Sequence, residues 1–123
     1  MSPVSYTTLT PLSFLERSAR VWPDKVAVIY GSQRLSYSEF AAEAARTARA
    51  LQASGIEPGD RVAYLMPNLP QMLTAHFAVP LAGGVLVAVN TRLAAEEVSY
   101  SCFTRVRRFS SPTPRYCPRP RLR

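Results

Sequence analysis

Two short runs decide how this chain is read: Val62-Ala63-Tyr64-Leu65-Met66 and Val85-Leu86-Val87-Ala88-Val89. Neither carries a charge, and the second is almost wholly apolar. A strand with one face in water alternates polar and apolar residues. Runs that are apolar on both faces belong instead to parallel sheets covered by helices on each side. Between the two runs, Asn68 is placed to cap a helix, and Pro70 is tolerable because it falls in that helix's first turn. Gly83-Gly84 ends the helix.

Upstream, Ser36-x-x-Glu39 fits a capping box, in which serine oxygen and glutamate carboxylate satisfy amides that the helix itself cannot pair. The alanine-rich helix that follows sets Phe40, Ala44, Ala48 and Leu51 on one face. Gly55 closes it as a left-handed cap, and Pro58-Gly59 makes a turn into the first run. Further back, Val26-Ala27-Val28-Ile29-Tyr30 is a compact β-branched strand closed by Gly31. Arg34-Leu35-Ser36-Tyr37 is a second strand, joined to it as a hairpin through Gly31-Ser32-Gln33. Thr10-Pro11 with Leu12, Phe14, Leu15 and Ala19 predicts a short amphipathic helix ending before Trp22-Pro23. Downstream, Thr91 is placed to cap a last helix through Ala94, Ala95 and Val98. The alternation of strand and helix makes the fold class α/β.

Composition changes abruptly where that last helix begins. Through Tyr100 there are 8 basic and 8 acidic residues, so the net is zero, while residues 101–123 hold seven Arg and no acid, the whole of the +7. Cys102 and Cys117 and four of the eleven Pro also lie there. A chain of 123 residues with 47% hydrophobic content is globular and at most one domain. A pI near 10.1 ordinarily points to nucleic acid or an anionic membrane. Here the basicity is confined to a terminal segment, so no specific nucleic-acid partner is expected. The N-terminus lacks the charged and apolar regions of a secretory signal. The uncharged stretch from Val62 to Thr91 is broken by Pro67, Asn68, Pro70, His76 and Pro80, and its cleanest run is shorter than the ~20 residues a membrane span needs. Two cysteines give no disulfide framework, which favours a reducing cytoplasm.

Several segments occur together in one order and spacing: Trp22-Pro23-Asp24-Lys25-Val26-Ala27, Leu35-Ser36-Tyr37-Ser38-Glu39-Phe40, Gly59-Asp60-Arg61-Val62-Ala63 and Pro67-Asn68. Asn90-Thr91-Arg92-Leu93 with Glu96-Glu97 completes the series. Over residues 10–100 the chain resembles the N-terminal segment of an AMP-forming acyl-CoA synthetase of the adenylate-forming superfamily. His76-Phe77-Ala78-Val79-Pro80 ahead of Ala82-Gly83-Gly84 is most similar to short- and medium-chain carboxylate–CoA ligases. The resemblance implies a family chemistry in which a carboxylate attacks ATP and the acyl group then passes to coenzyme A, with ATP, Mg and coenzyme A as the full-length cofactors. That chemistry requires a Ser/Thr/Gly-rich loop ending in Lys, an acidic residue for the ribose and a distant catalytic Lys. None is in this sequence. Lys25, the only lysine, precedes a strand, and the glycine pairs read as turns. No catalytic residue, bound cofactor or metal site is therefore expected of this chain, and the oligomeric state is left open.

Three positions carry alternatives. Arg92 looks like the place where some family members hold a coenzyme A phosphate; from the residues alone it is a helix-start arginine facing solvent. His76, in an apolar helix, reads as a buried histidine with a hydrogen-bond partner ahead of a catalytic one. Tyr37 and Phe40 read as core at the hairpin–helix junction.

Residues 101–123 depart from the family's usual continuation after Val98-Ser99-Tyr100. With Arg encoded as CGN and Ser as TCN, one base inserted before codon 101 regroups the triplets to permit Ile-Leu-Leu-His-Ser-Gly-Ala-Ala-Val-Leu-Val, close to that continuation. The expectation is an incomplete synthetase segment, 1–100, followed by an irregular out-of-frame tail and inactive alone. Two alternatives stand beside it. One is a binding module whose basic tail contacts RNA or acidic membrane, with Phe103 and Phe109 on either side of Arg105, Arg107 and Arg108. The other is a fragment complemented by a second chain.

Overall fold

The computed structural model describes residues 9–105. Where composition suggested a single domain, the chain divides into two compact units, Met1–Ala41 and Ala42–Arg123.

The first unit holds α1 (Pro11–Val21), β1 (Val26–Tyr30), β2 (Gln33–Ser36) and the start of α2 (Tyr37–Ala53). Thr10 caps α1: its hydroxyl accepts from Ser13 N–H, and Ser13 Oγ accepts from Thr10 N–H, so two otherwise unpaired amides are satisfied reciprocally. β1 and β2 pair antiparallel with Val28 opposite Leu35 and Tyr30 opposite Gln33, and the register shifts between Val26 and Val28. The second strand ends one residue earlier than its sequence suggests. Tyr37 opens α2 because the Ser36–Glu39 capping box forms as expected, Ser36 N–H donating to Glu39 Oε2 at 2.8 Å and Glu39 N–H to Ser36 Oγ at 3.2 Å. Tyr37 and Ser38 N–H donate to the carbonyls of Lys25 and Pro23. The Trp22–Lys25 loop thereby takes up further amides of the helix start.

The second unit holds the rest of α2, then β3 (Arg61–Leu65), α3 (Pro70–Leu81), β4 (Val85–Val89) and α4 (Ala95–Arg105). β3 and β4 pair parallel, as their apolar runs predicted, in register from Arg61–Val85 to Leu65–Val89. α3 packs on both strands and α4 on β4. The core is built of small side chains, with Ala48, Ala78 and Ala82 clustered and Leu51 against them. Gly84, just ahead of β4, sits in a tight approach: a Cβ there would lie 3.2 Å from both Asp60 O and Val79 Cγ1, so a side chain would make these neighbours give way.

Three sequence expectations fail here, each for a local reason. Asn68 does not cap α3. Pro70 occupies the first helical position, so the cap falls on Leu69, which makes no side-chain cap bond. A proline there has no N–H to satisfy, which lessens the need for one. Thr91 does not cap α4 either, since the helix starts at Ala95. Finally, α4 runs through Ser101 to Arg105, so residues 101–105 are not irregular. None of them is Pro or Gly, and a change of charge does not stop an i→i−4 ladder. The expectation of irregularity over 106–123 lies outside the described residues.

Candidate functional site

Arg92, the one ligand-binding candidate, sits in the turn between β4 and α4, and its surroundings define what it can offer. Asn90 organises that turn: its Oδ1 accepts from Arg92 N–H at 2.9 Å and its carbonyl from Leu93 N–H at 3.3 Å. Glu97 reaches back so that its Oε2 accepts from Ala94 N–H at 2.9 Å. The amides of residues 92, 93 and 94 are therefore all spent inside the fold, and a carboxylate already stands at the positive end of α4. A helix start attracts phosphate through unpaired amides and an uncompensated dipole, and here the Glu97 carboxylate opposes an anion at that end. What remains is the Arg92 guanidinium, which belongs to an exposed residue and joins no ion pair among the described residues.

The glycine turns are likewise closed to a phosphate. Of the five glycines, four donate their N–H to a backbone carbonyl: Gly55 to Gln52 at 2.9 Å, Gly59 to Gly83 at 2.8 Å, Gly83 to Pro80 at 3.0 Å and Gly84 to Val79 at 2.9 Å. Gly59 and Gly83 have φ of +88° and +91°, a region that disfavours any side chain. Their role is to turn the chain into the two parallel strands. Asp60 completes the turn, its Oδ2 accepting from Glu57 N–H at 3.0 Å while its carbonyl accepts from Val85 N–H at 2.7 Å. The Gly59-Asp60-Arg61-Val62 segment is thus architectural in this structure. Among the described residues these glycine turns do not fit a nucleotide phosphate.

The remaining candidates are not brought together with Arg92. His76 is exposed rather than buried, but it has the expected partner, its Nδ1 lying 2.8 Å from Met72 O. A carbonyl at that distance requires a proton on Nδ1, so the ring is held along its own helix. Phe40 is buried at 4% exposure and Tyr37 is half-buried, in keeping with their reading as core. Lys25 lies over the Trp22 ring at 5.8 Å, a cation–π contact at a strand start. Desolvation pushes the half-buried Tyr64 hydroxyl above its ordinary value of 10.0. Among the described residues no cluster of His, Cys, Asp and Glu has the makings of a metal site, and no helix is long and apolar enough to cross a membrane.

Sequence reasoning missed the part played by Glu97. Its only signal was a Glu three residues beyond the cap position, without the Ser, Thr, Asp or Asn that normally announces one.

Comparison with known proteins agrees with this architecture. The AMP-binding enzyme family profile matches residues 15–103. An acetate/butyrate–CoA ligase, peroxisomal, of Arabidopsis thaliana is 45% identical over 98 residues, 80% of this chain and 17% of the relative. A 4-hydroxybutyrate–CoA ligase of Metallosphaera sedula is 42% identical over 77% of this chain and 17% of its own length. Among solved structures, a fatty acyl-CoA synthetase of Mycobacterium tuberculosis superposes with a TM-score of 0.71 at 40% identity, covering 74% of this chain and 18% of that one. The chain spans about a sixth of the curated relatives it matches (17% of each).

Proposed function

The chain belongs to the AMP-binding enzyme family, and from that premise we propose that it is the N-terminal portion of an AMP-forming carboxylate–CoA ligase that does not catalyse ligation as a 123-residue chain. The observation that carries this reading is the commitment of its amides. The turns that match the family serve to enter strands and helices, and the N–H groups of residues 92–94, Gly59, Gly83 and Gly84 already donate within the chain. Transfer to and from ATP needs preorganised donors and a cation around the phosphates, and the single lysine sits over Trp22. The substrate class proposed for the family chemistry is a short carboxylate, by analogy with the acetate, butyrate and 4-hydroxybutyrate named for its relatives. ATP, Mg and coenzyme A belong to that chemistry.

Arg92 is proposed to contribute no more than a weak, exposed contact to a coenzyme A phosphate. The proposed compartment is the cytoplasm, although several Arabidopsis thaliana relatives are peroxisomal by name. Residues 101–123 are proposed to be read out of frame. The loss of acidic residues after Glu97 supports this.

The test of activity is ATP–pyrophosphate exchange by the purified chain with Mg and acetate, butyrate or benzoate. No exchange above background is expected, and exchange with any of them overturns the reading. DNA sequence around codon 101 tests the frame. If the continuation after one inserted base lacks a Ser/Thr/Gly-rich loop ending in Lys, that part of the proposal is finished.

A further inference from the structure

We draw no further inference here: the strongest candidate, the apolar face of the β3–β4 sheet on which Val85 and Leu65 stay 50% and 55% exposed, carries nothing because nothing in the structure shows what covers it.

Discussion

Among the described residues, the Met1–Ala41 unit buries the apolar side chains of Leu15 and Phe40, while the Ala42–Arg123 unit buries Ala44, Ala48, Ala75, Ala78 and Ala82 along with Ile56, Met72, Val79 and Val89. The first holds a two-stranded hairpin, which by itself is marginally stable in water. The second is a parallel pair approached closely by its helices, because alanine and Gly84 leave room. Both leave larger side chains outside: Val26, Ile29 and Tyr30 in the hairpin unit, Leu65, Leu73, Leu81 and Val85 in the parallel unit. The contrast shows that backbone polarity is settled locally in each unit, by caps and turns, while apolar burial is not. Transfer free energy scales with area at roughly 25 cal/mol per Å², and a core of alanines removes little area from water.

The largest effect expected from this contrast is loss of cooperativity. The chain should bind a hydrophobic dye and melt broadly, since exposed apolar surface and loose packing give those observables. Leu65→Ser with Val85→Ser should cut dye binding more than Ile29→Ser, because a parallel pair is normally covered on both faces. A sharp two-state melt of a monodisperse monomer would break the comparison by showing that the small core is sufficient.

Gly84→Val comes next. It forces side-chain atoms against Asp60 O and Val79 Cγ1, and overpacking of this kind costs about 1–3 kcal/mol. The urea midpoint followed by circular dichroism should fall, and an unchanged midpoint would mean that the α3–β4 approach is looser than its distances.

Two serines should respond with opposite sign. Ser36→Ala removes the α2 capping box and should destabilise by about 1 kcal/mol. Ser99→Ala removes a hydroxyl that is buried without a hydrogen-bond partner and should stabilise, by up to about 1 kcal/mol. Thr91→Ala, at a position that caps nothing, should stay within about 0.5 kcal/mol. Urea denaturation of the three variants side by side checks the order.

The smallest effect is at alkaline pH. The Tyr64 proton is held more tightly in the folded chain than in the unfolded one, where the ordinary value of 10.0 applies. Its contribution to stability is therefore fully present below that value and is lost as pH rises through the higher folded one. Ultraviolet titration should show one tyrosine ionising late, and Tyr64→Phe should remove that component.

The order of strands and helices, the parallel character of β3 and β4 and the Ser36–Glu39 box were legible from the residues, because each rests on short-range pattern or on hydrogen bonds three residues apart, while the family was legible only as a resemblance of several segments in order and spacing. The Asn68 and Thr91 caps were misread for a related reason. In one case Pro70 takes the first helical position and leaves the cap on Leu69 with no side-chain bond, and in the other Asn90 orders the turn while Glu97 reaches back to the helix start. What only the tertiary structure decided was exposure and availability. Whether His76 is in or out, whether Leu65 is covered, and whether a glycine amide is left for a ligand all depend on which distant groups reach the same place. A carbonyl such as Asp60 O or Gly83 O becomes a partner only once β3 and β4 lie side by side. No spacing in the sequence records that meeting.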